Sequence, residues 1–253
     1  MKSIERFSGF ANMYEEGRPE YSIELIDKLY DSYGFLEVSI IADIGAGTGK
    51  FSKQLLDRGS KVFGVEPNDD MRSKAQKVLG TYGRFHSVKG TADLTSLKDK
   101  SIDLITCAQA FHWFNVSSFR RECERILKSD GRIVLIWNVR DISSSINQEC
   151  FEIYKKYCKN FVGFNGGICE NDKRIQEFFH SEFERVEFDN PLYYEKDEFI
   201  KRCLSGSYSL TETDDDFSGF VSLFKIVFDN YNIDGKIKMD NKSVAYIGTI
   251  KLS

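Results

Sequence analysis

The sequence predicts an α/β fold, a mostly parallel β-sheet with helices on both faces, and two patterns carry this prediction. From residue 39 to residue 140, short β-branched runs alternate with amphipathic segments, as strands alternate with crossover helices in a parallel sheet. The first run leads into a loop with glycine at every second position, Gly45, Gly47 and Gly49. A chain of 253 residues is long enough for one such domain with an insertion, so we predict a single domain over residues 1–253.

Five short strands are predicted in the first part of the chain. They cover Ser39–Ile44, Lys61–Glu66, Phe85–Lys89, Ile102–Cys107 and Arg132–Trp137. Helices are predicted between several of these strands, because capping residues and glycines bound amphipathic segments there. These helices cover Lys50–Arg58, Asp70–Leu79 and Val116–Leu127, and the last one is followed by the loop Lys128–Gly131.

The alternation of strands and helices stops after Arg140. An aromatic, helical stretch is predicted over Asn147–Phe161 and a second one ends near Phe179, so we expect an inserted helical cap. Glu184–Phe188 is predicted as a sixth strand and Ser243–Leu252 as the last one, after turn residues at positions 240 and 241. The N-terminal arm and the cofactor-binding core therefore occupy residues 1–140, and the cap insertions and C-terminal strands occupy residues 141–253.

Composition and charge exclude several classes of function. The net charge is −4, so we expect no nucleic-acid partner, and no apolar stretch approaches the roughly 20 residues that cross a bilayer. The six cysteines form neither a C-x-x-C pair nor a zinc-type spacing with histidine, so we expect no metal site. The N-terminal residues lack the apolar core of a secretory signal, which predicts a cytoplasmic location.

The strongest functional signal is the loop that follows the first predicted strand. Residues 43–49 read Asp-Ile-Gly-Ala-Gly-Thr-Gly, and a helix is predicted to begin directly after them. Glycines without Cβ atoms let a ligand lie against backbone amides at the start of that helix. About 20 residues later the second strand ends at Glu66, whose carboxylate can accept the hydroxyl hydrogens of a ribose. Loop and carboxylate together predict a nucleoside-containing cofactor.

Two other nucleotide-binding loops fit the sequence less well. A dinucleotide fingerprint requires glycine where Lys50 stands, which disfavours a NAD(P)-dependent oxidoreductase. A P-loop requires four residues between its glycines and then Gly-Lys-Ser/Thr, whereas Phe51 follows Lys50 here. The loop therefore favours a cofactor other than a dinucleotide or ATP.

The segment Asp43–Gly49 together with Glu66 resembles motifs I and II of the class I S-adenosylmethionine-dependent methyltransferases. The resemblance covers roughly residues 5 to 140 and continues through Gly90-Thr91-Ala92 and through Ala-Gln-Ala-Phe-His-Trp-Phe at residues 108–114. These runs are similar to the type 11, trans-aconitate methyltransferase-like branch. The resemblance implies a Rossmann-like sheet of seven strands in the order 3-2-1-4-5-7-6, with the last strand antiparallel.

The resemblance also implies which residues contact S-adenosylmethionine and the product S-adenosylhomocysteine. Asp43 and the glycine loop would hold the methionine moiety, Glu66 the ribose and Met71 the adenine, although core packing is an equally open interpretation of Met71. The full implied set is Asp43, Gly45, Ala46, Gly47, Thr48, Glu66, Pro67, Met71, Thr91, Ala92, Ala108 and Gln109.

Candidates for catalysis follow the fourth strand and precede the first helix. Methyl transfer from a sulfonium is an in-line displacement, so the protein must align acceptor, methyl and sulfur in a dry site. His112 is the candidate general base, and a structural role or a role in lining the substrate pocket together with Trp113 is the alternative. The resemblance places Tyr14 and Arg18 in a segment that closes over the cofactor, which makes them candidate catalytic residues; an exposed arm is the alternative.

Substrate recognition is the least constrained part of the prediction. Arg140 lies just beyond the fifth predicted strand and is a candidate for binding an acceptor anion, with an internal ion pair to Asp141 or a neighbouring residue as the alternative. We predict methyl transfer to a small-molecule acceptor, with O-methylation of a carboxylate favoured and N- or C-methylation of another metabolite as the first alternative. A non-catalytic module that binds the cofactor is the rival outside enzymes. We expect a monomer or a homodimer.

Overall fold

The computed structural model describes residues 19–164, 172–180, 182–206 and 208–250, and its main feature is a seven-stranded sheet. The strands are β1 (Ile40–Ile44), β2 (Lys61–Val65), β3 (Phe85–Val88), β4 (Ile102–Ala108), β5 (Leu127–Arg140), β6 (Phe183–Asp189), β7 (Leu192–Tyr194), β8 (Ile237–Met239) and β9 (Asn241–Gly248). The large sheet has the order β3-β2-β1-β4-β5-β9-β6, and β7 and β8 form a separate two-stranded sheet.

The sheet topology confirms the predicted order. With β6 as the sixth strand of the sheet and β9 as the seventh, the order reads 3-2-1-4-5-7-6. Strands β1 to β5 pair in parallel, and β9 runs antiparallel to both of its neighbours, β5 and β6. The parallel strands therefore end together at one edge of the sheet, where ligands bind in open α/β folds.

Helices cover both faces of the sheet. They are α1 (Ile23–Ser32), α2 (Lys50–Asp57), α3 (Asp69–Leu79), α4 (Val116–Ile126), α5 (Ser145–Tyr157), α6 (Lys173–Phe179), α7 (Lys196–Leu204) and α8 (Phe217–Tyr231). Side-chain caps fix several starts, because the oxygens of Ser22, Asn68 and Asn115 accept backbone N–H groups in the first turn of α1, α3 and α4.

Two hydrophobic clusters separate the two faces of the sheet. Val134 and Ile136 of β5 belong to a cluster with α1, α2 and α3, whereas Leu135 and Trp137 belong to a cluster with α4 and α6. This alternation follows from the period of two residues along a strand. The helix that ends at Phe179 packs beside α4 on the sheet, rather than in the cap where we expected it.

A third hydrophobic cluster forms the cap, which consists of α5, α7, α8 and the β7–β8 pair. Tyr154 of α5 is fully buried at its centre and donates its hydroxyl hydrogen to the Cys203 carbonyl of α7 at 2.8 Å. The β7–β8 pair was not predicted from the sequence, because strands of three residues are too short to show a periodic pattern.

The predicted loop between α4 and β5 differs from the structure. Strand β5 begins at Leu127, directly after α4, and runs through the predicted loop Lys128–Gly131. Ile102 pairs with Leu127 and Leu104 pairs with Arg132, so the intervening residues of β5 form an irregularity in the ladder. At the other end of the chain β9 stops at Gly248, short of the predicted Leu252, which lies outside the described residues.

Within the described ranges, no helix combines the length and the apolar character needed to cross a membrane.

Candidate active site

The glycine loop after β1 is held close to the end of β2. The N–H groups of Gly45 and Ala46 both donate to the Val65 carbonyl, at 2.9 and 3.1 Å. Gly45 has a φ of +75°, and a Cβ at this position would lie 2.6 Å from the Cβ of Ala110. Only glycine satisfies both the left-handed backbone and this close approach. The loop therefore packs directly against the segment that follows β4.

Gly47 differs from Gly45 because the space around Gly47 is open. Its φ is +57°, and no atom of the described residues lies within 4 Å of the place where a Cβ would stand. The backbone at Gly47 therefore faces a cavity instead of protein, as expected where a ligand approaches a loop at the start of a helix. Helix α2 begins three residues later, at Lys50.

Glu66 connects the end of β2 to the glycine loop. Its Oε2 accepts the N–H of Gly47 at 2.9 Å and its Oε1 accepts the N–H of Asn68 at 2.9 Å. Burial raises the pKa of the Glu66 carboxyl, and these two backbone N–H groups act in the opposite direction. Each oxygen retains acceptor capacity beyond its one backbone bond. The carboxylate is therefore fixed in position and can still receive hydroxyl donors.

The larger of two joined chambers lies at the carboxyl ends of the parallel strands and has a volume of about 280 Å³. Its lining includes Glu66, Pro67 and Met71, the pair Thr91 and Ala92, and the glycines of the loop after β1. Apolar side chains and a few fixed polar groups are the usual lining of a small-molecule site.

The smaller chamber has a volume of about 50 Å³ and shares Gly45, Gly47, Ala108 and Gln109 with the larger one. Asp43, Ala46 and Thr48 also line it. The two chambers thus meet where β1 and β4 end. All twelve residues that the family resemblance implies for the cofactor line one chamber or both.

Asp43 is a buried carboxyl group beside the smaller chamber. Its Oδ2 accepts the hydroxyl of Ser52 at 2.6 Å, and its Oδ1 accepts the hydroxyl of Thr106 at 3.0 Å. Burial raises the pKa of Asp43 to about 6, although both hydroxyls favour the ionised form. A cation in the smaller chamber would favour ionisation further.

Gln109 lies at the junction of the two chambers and has a strained backbone. Its φ is +55°, in the left-handed region that non-glycine residues seldom adopt. Its N–H donates to the Ile136 carbonyl at 2.8 Å, and its Nε2 donates to the Asn138 carbonyl at 3.0 Å. Strain of this kind persists where the surrounding structure imposes it, often at active sites.

The candidate catalytic and substrate-binding residues occupy different places. Trp113 is 38% exposed and lines the larger chamber. His112 lies in the same 3₁₀ turn, with its ring 4.8 Å from the Trp113 ring, but it is not part of either chamber's lining. Tyr14 and Arg18 lie outside the described residues. Their catalytic roles and that of His112 stay predictions.

Arg140 lies at the end of β5, where the sheet meets the cap. The side chain is buried, and its guanidinium carbon lies 4.4 Å from the ring centre of Phe164 and 5.8 Å from that of Tyr154. Among the described residues its Nη1 is buried without a hydrogen-bond partner. The ionisable groups beside Arg140 in the described ranges are tyrosines and cysteines, so the alternative of an ion pair with Asp141 is wrong; the Asp141 carboxylate accepts the N–H and the hydroxyl of Ser143.

Sequence reasoning missed several residues that line the chambers. Asn68 and Asn115 line the larger one, and in the structure their side chains also cap α3 and α4. Asn68 lies three residues after the end of β2, and this position was a usable signal. Further missed residues include Asp93 and Ser118 of the larger chamber and Tyr21, Phe51 and Asn138 of the smaller one.

The site fits S-adenosylmethionine, which joins an adenosine to an amino acid through a sulfonium. The larger chamber offers apolar walls for a base and the Glu66 carboxylate for a ribose. The smaller chamber offers the buried carboxyl of Asp43, a group that can pair with a cation. The described ranges contain no group of three or more metal-ligating side chains.

Comparison with known proteins agrees with this interpretation. Residues 42–135 match the model of a methyltransferase domain family. The fold is also similar to the crystal structure of the YcgJ protein from Bacillus subtilis, with a TM-score of 0.58 and 19% identity over 90% of this chain and 99% of that one. At this identity the likeness supports the fold alone.

Three relatives extend the match. An uncharacterized methyltransferase-like protein of Schizosaccharomyces pombe is 35% identical over 60% of this chain and 58% of its own length. An uncharacterized methyltransferase of Mycobacterium bovis is 31% identical over 81% of this chain and 78% of its own. A protein of Saccharomyces cerevisiae, named as a probable S-adenosylmethionine-dependent methyltransferase, is 29% identical over 59% of this chain and 53% of its own. This chain therefore belongs to the class I S-adenosylmethionine-dependent methyltransferases.

Proposed function

We propose that this protein transfers a methyl group from S-adenosylmethionine to a small-molecule acceptor at the junction of its two chambers. The observation that carries the proposal is the arrangement of residues around this junction. The Glu66 carboxylate accepts the N–H of Gly47, whose backbone faces open space, and Gln109 at the junction has a strained backbone. This arrangement fixes an adenosine and an amino acid on opposite sides of one point. The junction is therefore the place for the sulfur.

Different residues would hold the two ends of the cofactor. Glu66 would accept the ribose hydroxyls with the acceptor capacity that Gly47 and Asn68 leave free. Asp43 and the loop backbone would hold the amino acid end. The cofactor supplies a methyl group bound to a positively charged sulfur, so the protein's task is alignment and exclusion of water.

The walls of the larger chamber favour a dry reaction site. Ala110, Trp113 and Phe114 lie beside the junction, and Phe114 packs 5.0 Å from the buried Phe119 ring. In such surroundings electrostatic interactions are stronger than in water, because the effective dielectric constant is lower.

Arg140 supports a carboxylate as the acceptor. A buried guanidinium needs a counter-ion, and among the described residues the ionisable groups beside Arg140 are tyrosines and cysteines of the cap, with no carboxylate. Arg140 lines neither chamber, but it stands two residues beyond Asn138, which lines the smaller one, and this spacing spans about 7 Å along a strand. We propose that an anionic acceptor reaches from Arg140 to the junction.

A carboxylate acceptor also fits the position of the histidine. A carboxylate is already an anionic nucleophile and needs orientation rather than a general base. No histidine is among the described residues that line the two chambers. We therefore favour O-methylation over N- or C-methylation, which for neutral acceptors benefits from a base.

The proposal is tested with S-adenosylmethionine that carries a deuterated methyl group. The protein is incubated with a panel of small mono- and dicarboxylates and with their neutral amides, and products are detected by mass spectrometry. Labelled methyl esters from carboxylates alone are expected. Labelled products from amines or carbon acids would overturn the carboxylate assignment, and cofactor binding without any labelled product would favour a non-catalytic module.

A further inference from the structure

The segment that leads into α1 forms part of the lining of the smaller chamber. Pro19 and Tyr21 line this chamber, and the Tyr21 ring packs against Phe51 of α2 with a centroid distance of 5.0 Å. The segment has no regular secondary structure of its own, so its position depends on the side chains that hold it.

One of these side chains is Asn138, near the end of β5. Its Nδ2 donates to the Glu20 carbonyl at 3.0 Å and to the Pro19 carbonyl at 3.4 Å. Its Oδ1 accepts the hydroxyl of Ser243 at 2.6 Å and the side-chain amide of Asn190 at 3.1 Å. The two donor hydrogens and two lone pairs of the amide are thus all used.

The surrounding bonds fix the orientation of this amide. The N–H of Ser22 donates to the Ser243 Oγ at 2.9 Å, so the Ser243 hydroxyl hydrogen is directed to Asn138. Asn190 in turn also donates to the Glu20 carbonyl, at 2.9 Å. Asn138 is 7% exposed and Ser243 is fully buried, which strengthens the network because water competes little.

Asn138 also reaches the opposite side of the smaller chamber. Its backbone carbonyl accepts the Nε2 of Gln109, the strained residue at the junction of the chambers. One residue therefore contacts both the outer segment and the inner junction. Because its own amide is fully bonded, it has no free group for a ligand and acts through its neighbours.

We propose that Asn138 is a positioning residue that holds residues 19–21 and Gln109 around the amino acid end of the cofactor. The inference rests on the proposed function, because it assigns the smaller chamber to that end. Losing Asn138 should weaken binding of a ligand that fills both chambers. It should not weaken binding of a ligand that fills only the larger one.

Two ligands distinguish these two expectations, and neither measurement requires that the methyl acceptor is known. S-adenosylhomocysteine carries adenosine and the amino acid, whereas 5′-methylthioadenosine carries adenosine and sulfur but lacks the amino acid. For Asn138→Ala, titration calorimetry should give an affinity for S-adenosylhomocysteine lowered about tenfold or more, as expected when several hydrogen bonds to the segment are lost. The affinity for 5′-methylthioadenosine should change less than about twofold.

A second variant tests the same segment from its other side. The Gln54 side chain of α2 accepts the N–H of Tyr21 at 3.1 Å and donates to its carbonyl at 2.8 Å. Gln54→Ala should therefore show the same selective loss, and it decides the question if Asn138→Ala does not fold. The matched control is Asn147→Ala, because Asn147 is a buried asparagine that bridges the Asp141 and Asp240 carbonyls and lines neither chamber.

The outcomes distinguish this inference from the proposed function. Selective loss in Asn138→Ala and Gln54→Ala, with unchanged affinities in Asn147→Ala, supports it. Equal losses for both ligands, or full affinity for S-adenosylhomocysteine, overturn it and leave the cofactor assignment intact. Wild-type protein that binds neither ligand overturns the proposed function and this inference together.

Discussion

The carboxylate of Glu66 accepts the backbone N–H of Gly47 at 2.9 Å, so the end of β2 and the loop after β1 form one rigid unit. The two residues are nineteen positions apart in the chain. This contact orders both the carboxylate and the loop before any ligand arrives. Such preorganisation reduces the entropy lost on binding.

Replacing Glu66 by glutamine should weaken binding of S-adenosylhomocysteine by about ten- to a hundredfold, since charge-assisted hydrogen bonds are worth about 1.5–3 kcal/mol. The glutamine keeps the shape of the side chain but loses its charge and one acceptor. Titration calorimetry measures the effect, with Glu37→Gln on the exposed surface as the control. Unchanged affinity in Glu66→Gln would remove the ribose role of this residue.

The two loop glycines should respond differently to alanine. Gly45→Ala places a Cβ 2.6 Å from the Ala110 Cβ at a positive φ, so we expect a loss of folding stability of about 2 kcal/mol or more. At Gly47 the Cβ meets open space, so Gly47→Ala should lose less stability and mainly weaken cofactor binding. Urea unfolding and calorimetry together check this contrast. Equal effects of both variants on both quantities would contradict it.

The buried Asp43 should make folding stability depend on pH. Its pKa is about 6 in the folded protein and 3.8 when unperturbed, so the folded state binds more protons between these values. The stability that protonated Asp43 contributes is complete below pH 3.8 and is lost as pH rises through about 6. The loss amounts to about 3 kcal/mol.

The comparison with Asp43→Asn isolates this effect from other titrating groups. The free energy of unfolding of the variant minus that of the wild type should increase from pH 4 to pH 6.5, measured by urea unfolding without cofactor. A difference that stays constant across this range would show that Asp43 does not titrate there.

Replacing Arg140 by methionine should separate stability from turnover. Methionine fills similar space against Phe164 and Tyr154 and removes a buried charge, so the ligand-free variant should be at least as stable as the wild type. For a carboxylate acceptor, kcat/KM should fall at least about tenfold because the acceptor KM rises, while the affinity for the cofactor stays unchanged. Arg58→Met, which removes a surface ion pair with Asp27, serves as the control. Unchanged acceptor KM in Arg140→Met would contradict its anion-binding role.

The parts of the site that sequence could predict are local in the chain. Gly45, Gly47 and Asp43 lie within one strand-turn-helix unit, and Glu66 ends the next strand, so their spacing alone reveals them. The sheet order followed from the family resemblance, and the alternating segments from β-branched and amphipathic patterns.

The parts that sequence missed depend on distant contacts. Asn138 meets Pro19 across 119 positions and Ser243 across 105, and no local pattern marks such a pair. The strained φ of Gln109 follows from the packing of β4 against β5, since its residue type gives no hint of it. The sequence identified Arg140 by its place at the end of a strand. It could not show that the guanidinium packs against Tyr154 and Phe164, because these residues belong to the cap.

The most direct test of the account is titration calorimetry of the purified protein with S-adenosylmethionine and S-adenosylhomocysteine, and with NAD and NADP as controls. We predict saturable binding of one equivalent of each sulfur ligand and none of either dinucleotide. Binding of a dinucleotide alone, or of none of the four, would contradict the claim that the two chambers are built for S-adenosylmethionine.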